Sequence, residues 1–514
     1  MLLNNNKVMK NHITFLRKKM TVVVFVMLLC MIALPSLHAQ SVSPNVRVNT
    51  ADYFKTHLDG GGKLIAVLND TVYAIWQGEP TSSTSNIYFA KSIDGGASFS
   101  AEINISQGAS PTLHAFPSLA VSQNGTIHIA WAATNNEPAF NVWYIKSTNG
   151  GNTFDTPIQM TTNDGAVYPA IAAHNNNVYI IYASSADFVT VDYYFTRSTN
   201  NGNTFSTPVQ INDATCTGNV EFDGLTSIAL DPSGNIYLAW VDGRRANGKG
   251  DIFLSKSTDG GINFGTNVMV NDINQPGADS VQFFLSIAAD ASNNVYVSFC
   301  DRRLGSGSAN ERIYMAKSSN GGNTFSSETL LAGYNEKCYF HNIAVNSTGK
   351  LYAAICASIS ANHGVWLYES TDGGNSFSLP IAVNDTFNCE FRDLRITIGT
   401  DDKVYALWVD KRTNFFNVYF AKTDFPTHIS EANMDSKFIV YPNPTADYLT
   451  LEVKDFELST LHFQLYDMQG KLLQTERITG NQTSITMSHL VPATYFVKVI
   501  RGNKEIKTFK IVKR

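Results

Sequence analysis

One eight-residue pattern occurs six times in this 514-residue chain and limits what it can fold into. SIDGGASF (Ser92–Phe99) returns as STNGGNTF (Ser147–Phe154), STNNGNTF (Ser198–Phe205), STDGGINF (Ser257–Phe264), SSNGGNTF (Ser318–Phe325) and STDGGNSF (Ser370–Phe377). Each copy reads Ser-x-Asp/Asn-x-Gly-x-x-Phe. The third position is held by Asp94, Asn149, Asn200, Asp259, Asn320 and Asp372. Asp or Asn accepts backbone N–H groups inside a tight turn, and glycine supplies a positive φ without steric cost. The Phe then returns to a core. Three copies carry an amide, so the position needs an acceptor and not a charge. The motif is therefore structural rather than catalytic.

Strands surround each turn. Two alternating apolar strands joined by a polar Asn/Gly turn come first, as in SLAVSQNGTIHIAW (118–131), SIALDPSGNIYLAW (227–240) and RITIGTDDKVYALW (395–408). A third strand leads into the motif (IYFAKS, VWYIKS, YYFTRS, IFLSKS, IYMAKS, VWLYES), and a fourth follows the Phe (PIQM, PVQI, NVMV, PIAV). Lys91, Lys146, Arg197, Lys256, Lys317, Glu369 and Lys422 hold one equivalent position in seven such units, about 50–60 residues apart. Four antiparallel strands at this period are the blades of a β-propeller, so the chain is expected to be all-β and seven-bladed. Composition agrees. Charged residues make up 16%, against a usual share of about 25%, and 35 glycines serve the turns. The seventh unit ends after Lys422 with no turn motif and no fourth strand. SPNVRVN (Ser43–Asn49) reads as that missing strand, closing the ring and removing its open edges.

Residues 1–39 carry five basic residues and no acid, with an apolar run from Val22 to Leu34. That run is shorter than the roughly 20 residues of a membrane span, and a small residue, Ala39, precedes the expected cut. A secretory signal over 1–39 is expected, with Met9 and Met20 as alternative starts. Five cysteines then remain, too few for a disulfide framework. Cys300 and Cys356 occupy matched places on adjacent blades, whose sheets lie about 10 Å apart, so both are expected in the core. Cys216 is unassigned, and Cys338 and Cys389, in inter-blade loops, are open to pairing. The ring, residues 40–429, holds 22 basic and 34 acidic residues. That balance excludes general nucleic-acid binding. The 11 histidines form no His-x-x-x-His pair, and no EF-hand or phosphate loop is present. No cofactor or metal is expected, although an acidic, Asn-rich ring leaves room for a structural cation.

The six turn motifs resemble the Asp boxes, or BNR repeats, of the sialidase-like superfamily, over roughly 42–424. That superfamily includes sialidases, other glycan-active enzymes, lectins and non-enzymatic assembly factors, so the resemblance implies a fold and leaves function open. The tail resembles another family. FIVYPNPTADYLTLEV (Phe438–Val453), LYDMQGKLL (Leu465–Leu473) and LVPATYFVKV (Leu490–Val499) are similar to the C-terminal sorting domain of the type IX secretion system. Ala493 stands where that family commonly has Gly. This resemblance implies a small Ig-like β-sandwich recognised by the outer-membrane secretion machinery and a product at or beyond the cell surface. The expected plan is a signal over 1–39, a propeller over 40–424, a linker over 425–437 and a sorting domain over 438–514.

Strand order places the Asp boxes and the first-to-second turns at one end of the ring. The second-to-third and inter-blade loops lie at the other, where propeller ligands usually enter. A shorter repeat occupies those second-to-third loops: Trp240-Val-Asp242-Gly-Arg244, Phe299-Cys-Asp301-Arg-Arg303 and Trp408-Val-Asp410-Lys-Arg412. Inter-blade loops add Tyr53, His57, His114, Tyr168, Glu221, Asp223, Tyr339, His341, Glu390 and Arg392. The sialidase resemblance implies three arginines on a substrate carboxylate, a Tyr nucleophile activated by Glu and an Asp acid/base. Here Arg244, Arg303, Arg392 and Arg412 are the candidates for the clamp, and Glu221 or Glu390 for the partner of a Tyr. The plainer reading is that each Asp-x-Arg pair ties down its own loop, with Asp251 facing Arg244 across one hairpin. The chain departs from sialidases in two respects: Arg47 sits in Asn-Val-Arg-Val rather than Phe/Tyr-Arg-Ile-Pro, and no Arg lies between Arg47 and Arg197. The favoured expectation is a monomeric, surface-delivered propeller that binds extracellular glycan or protein without catalysis, with Asp242, Arg244, Asp301, Arg303, Asp410 and Arg412 at the ligand site. The rivals are a glycan-active hydrolase or polysaccharide lyase using the same loops, and a structural surface protein.

Overall fold

The computed structural model describes residues 41–53, 55–58, 62–107, 111–135, 140–162, 165–185, 190–214, 216–217, 226–244, 250–273, 282–303, 311–332, 338–359, 362–424, 438–454, 461–468, 471–501 and 504–514. The expected signal segment and the linker lie outside the described residues. The chain divides into two units at Asp424/Phe425.

In the first unit the described strands fall into seven antiparallel blades built on four strands each, with short extra strands on blades 1 and 3 and one parallel pairing, Ser85 with Leu113, joining blades 1 and 2. Blade 4 shows the pattern, running outward as Thr226–Leu230, Ile236–Asp242, Asp251–Ser257 and Val268–Met269. The innermost strands of the seven blades are Ile65–Leu68, Leu113–Val121, Ala166–His174, Thr226–Leu230, Gln282–Ala289, Cys338–Val345 and Phe391–Ile398. Each packs on the next and the last packs on the first, so the blades form a closed ring. The second strands are buried at every position rather than at alternate ones (IHIAWAAT, IYLAWVD, VYALWVD), because neighbouring blades cover both faces. Trp76, Trp131, Trp240 and Trp408 are fully buried on them.

The Asp box works between blades. Gly96 N–H donates to Ser92 Oγ (2.7 Å), Ser92 Oγ donates to Asp94 Oδ1 (2.6 Å), and Asp94 Oδ1 accepts Ser98 N–H (3.0 Å). In the second and fifth boxes Asn149 accepts Thr153 N–H and Asn320 accepts Thr324 N–H at the same 3.0 Å, so the amide is equivalent to the carboxylate. The second glycine of the box lies against the preceding blade. A Cβ on Gly96, whose φ is +92°, would come within 2.1 Å of Phe420, and one on Gly151 within 2.5 Å of Phe89. The box Phe meets the same neighbour edge-on: Phe99–Phe420 at 5.3 Å, Phe154–Phe89 at 5.0 Å and Phe264–Phe195 at 4.8 Å between centroids. The recurring cation reaches forward into the next box, as Lys91 Nζ donates to Gly150 O (2.7 Å) and Arg197 Nη1 to Gly260 O (2.8 Å).

The ring closes with residues 41–49. Ser41 and Val42 pair with Asp424 and Thr423, and Val46 and Arg47 pair with Phe420 and Tyr419. Asn49 Nδ2 donates to Asn417 Oδ1 (2.8 Å) while Asn49 Oδ1 accepts Val418 N–H (2.8 Å). In the second unit, sheets of three and four strands contribute to one core that includes Phe438, Leu451, Phe463, Leu465, Val497 and Ile511.

Cys300 and Cys356 are buried on their second strands, and Cys216 is also buried. Cys389 is a free thiol, so the open pairing with Cys338 is not made. Two histidines are part of the ring's interior. His114 accepts the Trp131 indole N–H on Nδ1 (2.9 Å), and His128 joins Tyr144 Oη (2.7 Å) and Ser122 Oγ (2.9 Å). Burial pushes both down to about 4. The unfolded chain takes protons on these rings near pH 6.5, before the folded one does, so their contribution is complete above pH 6.5 and is lost as pH falls toward 4.

Two measurements follow from closure and from burial. Deleting residues 41–50 is expected to lower the melting temperature by on the order of 10 °C or to abolish cooperative unfolding; an unchanged transition would refute closure by this segment. The wild-type melting temperature is expected to fall between pH 6.5 and pH 4.5, and His114→Gln/His128→Gln to flatten that fall.

Candidate functional site

The second-to-third loops place the three Asp-x-Arg pairs on blades 4, 5 and 7. Each Asp is fully buried and each Arg folds back on it: Arg244 Nη2 to Asp242, Arg303 Nη2 to Asp301 and Arg412 Nη2 to Asp410, all at 2.6 Å. Trp240 and Trp408 indole N–H groups donate to the same carboxylates of blades 4 and 7 (3.0 Å). The guanidinium planes lie over Phe253, Tyr314 and Tyr419, at 4.1, 3.8 and 3.8 Å from the ring centroids.

These pairs also tie blades together. Arg244 reaches Asp213 at the end of blade 3, and Arg412 Nη1 reaches Asp385 at the end of blade 6 (2.7 Å). Asn267 accepts from both Arg244 and the Asp213 backbone N–H (2.9 Å each), and Asn45 does the same for Arg412 (3.1 Å) and Asp385 N–H (2.8 Å). On blade 5, Glu328 accepts Asp272 N–H at 2.6 Å and stands 3.6 Å from Arg303. The three arginines point to outer strands, their side chains only 15%, 7% and 15% exposed. The structure does not bring them together as a clamp. Arg244 has Asp242 and Asp213 as partners, whereas Asp251 accepts from Asn271 (2.9 Å). This is loop-tying geometry for all three Asp-x-Arg pairs.

The other candidates separate as well. Arg392 donates to Glu390 (2.5 Å) in a pair that is 36% and 47% exposed, and it covers Phe416. His341 is buried and His114 is the Trp131 partner already described. Tyr339 lies on the strand Cys338–Val345, and Glu221 and Asp223 lie outside the described residues. A Tyr–Glu pair does form, between Tyr53 Oη and Glu102 (2.7 Å), but Glu102 also accepts Ala51 N–H (3.0 Å). Burial, then the hydrogen bond to Glu102, hold the Tyr53 phenol far above its usual range, the opposite of an activated nucleophile. Burial likewise pushes the Cys389 thiol up to about 11.

Innermost strands carry a feature that lies outside the repeated motifs. Register shifts interrupt them at Ala115/Ser118, Val167/Ala170, Phe283/Ser286, Cys338/His341 and Arg392/Leu394. At four of these bulges a residue other than glycine has positive φ: Phe116 (56°), Tyr168 (52°), Phe284 (48°) and Asp393 (44°). Such a conformation costs on the order of 1–3 kcal/mol and re-aims the side chain. Phe116 and Tyr168 meet at a tilt with centroids 4.2 Å apart, and Phe284 meets Phe340 at 5.5 Å. All but Tyr168 are half-buried. These aromatics stand near the strand starts, on the side of the inter-blade loops. The readable signal was the aligned run Phe116-Pro-Ser, Tyr168-Pro-Ala, Phe284-Leu-Ser and Phe340-His-Asn. Asp393 breaks that series and instead accepts Leu58 N–H (2.9 Å), fastening the chain as it enters blade 1.

Comparison with known proteins agrees with both units. Residues 439–514 match the family described as the secretion system C-terminal sorting domain. The tail is a secretion signal of the type IX system. The chain is thus a secreted protein, delivered to the cell surface or beyond it, and its tail engages the secretion machinery. No curated protein matches the chain. Among solved structures, it is similar to a polysaccharide lyase of family PL25, an ulvan lyase, at 13% identity and TM-score 0.50, covering 72% of this chain and 94% of that one. The NanB sialidase of Streptococcus pneumoniae (12% identity, TM-score 0.42, 75% and 70% covered) and the α-L-arabinanase of Penicillium chrysogenum (14%, 0.42, 61% and 94%) are further matches. At such identities the likeness speaks for fold alone, and the two lower scores add nothing to it.

The Asp-x-Arg geometry has a direct test. Arg412→Ala leaves the Asp410 carboxylate buried beside Trp408 without its cation, and is expected to destabilise the ring by about 3–5 kcal/mol in denaturant unfolding. A variant of unchanged stability would contradict the structural role.

Proposed function

We propose that this secreted propeller binds extracellular glycan at the inter-blade-loop end of its channel and does not catalyse a reaction there. The observation that carries this reading is the set of half-buried aromatics set at bulges of the innermost strands. Flat, partly exposed rings offer apolar faces to the C–H faces of sugars, and concave sites of this type combine such faces with few polar groups. The loop-tying arrangement of Arg244, Arg303 and Arg412 supports it, because those groups are already engaged with carboxylates. An acidic ring also favours neutral sugars over polyanions. The protein acts as a monomer in this reading.

The rival reading is a glycan-active hydrolase or lyase. It draws on one observation, the half-exposed Glu390–Arg392 pair. Glycoside hydrolysis usually needs a second carboxylate at a matched distance, and Glu221 is the remaining candidate from the sequence.

A glycan array, run beside a screen of chromogenic glycosides and acidic polysaccharides, separates the two. Binding without turnover is expected, with affinity falling roughly tenfold in Phe116→Ala and in Phe284→Ala. Turnover that disappears in Glu390→Gln, with folding intact, would establish the rival instead.

A further inference from the structure

Exposed apolar side chains are concentrated in the second unit. Among the described residues the first unit has eight large apolar side chains that are exposed, and the second, residues 425–514, has seven. The second unit is less than a fifth of the chain, so its surface is far richer in them. Apolar surface gathered on a small domain marks an interaction site.

One face of the four-stranded sheet holds part of this set. Its strands run in the order Leu472–Arg477, Leu461–Tyr466, Thr494–Arg501 and Lys504–Val512. Alternate residues point inward, and Phe463, Leu465, Val497 and Val499 belong to the core. The residues between them face outward. Register sets Leu472, Tyr466, Phe496 and Lys510 side by side in one row across all four strands, about 14 Å wide at the usual strand spacing. Leu472 and Lys510 are exposed, and Tyr466 and Phe496 are half-buried. The next row is Thr475, Gln464, Lys498 and Thr508, and Lys498 Nζ stands 5.5 Å from the Tyr466 ring centroid. On the other side of the first row, exposed Val512 pairs with Thr494. The face is an apolar, aromatic band bordered by two lysines, with no carboxylate in either row.

Two neighbouring surfaces are already engaged. The edge of Lys504–Val512 is closed, since Asn443 Nδ2 donates to Lys510 O (2.8 Å), Asn443 Oδ1 accepts Val512 N–H (2.9 Å) and Thr445 N–H donates to Val512 O (2.9 Å). On the outer face of the three-stranded sheet, Tyr441 Oη donates to Glu452 (3.0 Å) and accepts from Gln482 Nε2 (3.2 Å), so these polar groups satisfy one another.

We propose that the outer face of the four-stranded sheet is the surface by which the tail docks on the secretion machinery. The partner it fits is a protein surface with an apolar patch bordered by carboxylates. Tyr466, Phe496 and Leu472 supply the dry centre of such an interface, and Lys498 and Lys510 its charged rim. Opposite charge on the partner speeds encounter and fixes orientation. The surface belongs to the tail alone and stands whether or not the ring binds glycan.

Delivery of the full chain to the surface of cells that carry a type IX system tests this, read by fractionation and immunoblot. The melting temperature of each purified full-length variant is the folding control. Tyr466→Ala/Phe496→Ala and Lys498→Glu/Lys510→Glu are each expected to cut the delivered fraction roughly tenfold or more and to leave the chain in the periplasm. Ser484→Glu, on the outer face of the three-stranded sheet, is expected to be delivered like the wild type. Normal delivery of both patch variants, or equal retention of Ser484→Glu, would overturn the proposal. Should the aromatic variant fail to fold, Lys510→Glu decides, because Lys510 is exposed, and its normal delivery refutes the site. Two further results would also overturn a machinery partner. Binding to phosphatidylglycerol vesicles that the lysine variant loses assigns the face to the membrane. A dimer in sedimentation that the patch variants dissolve assigns it to a second copy of this chain.

Discussion

The packing of each Asp box against the preceding blade is the contact on which the rest of the ring depends. The box glycine has no side chain because an aromatic ring, Leu254 or Met315 of the neighbour occupies that space. The box Phe packs on the same neighbour, and the neighbour's Lys or Arg donates to the box carbonyl. One turn thereby sets the distance and angle between two sheets. Repetition around the ring leaves a single open position, at the blade that has no box of its own strand to follow, and residues 41–47 fill it. Once closed, the ring has second strands covered on both faces, and their apolar character follows from that burial.

The opposite end of the ring is held by different chemistry. There the Asp-x-Arg pairs bind second-to-third loops to the outer strands of their own and the preceding blade. A buried carboxylate is tolerated because one guanidinium and one backbone N–H compensate it, with an indole N–H added on two blades. Side chains that are matched so completely to each other have little left for a ligand. What faces the axis is the set of bulged inner strands, where aromatic side chains adopt an uncommon backbone conformation and hydroxyl or amide side chains join adjacent blades. Rigidity at the rim and polarity on the axis are thus separate properties of separate residues.

Much of this was legible in the residues themselves. Six Asp boxes, seven cation positions and a last blade with one strand missing led to a closed ring, and the sorting motifs marked the tail. The two readings of Asp-x-Arg remained open because residues two apart on a strand end either pair with each other or project together, and sequence spacing is the same for both. Phe116 and Phe284 were passed over because a bulge shifts the face on which a residue lies, and alternation counts assume no bulge. Tyr53 drew notice as a loop tyrosine, but its partner Glu102 lies 49 residues away on the outer edge of blade 1.

By itself the sequence determined the repeat, the number of blade units, the strand that closes them and the secreted destination, because turn chemistry and hydrophobic period are local properties. The tertiary structure decided which polar groups face each other. Asn342 illustrates the difference. Its neighbours in the chain are unremarkable, and its bonds to Ser286 and to Ile396 N–H arise only when inner strands from distant parts of the chain converge on one axis. Electrostatic pairing acts through space at a few ångströms, and only closure of the ring brings those groups within that range.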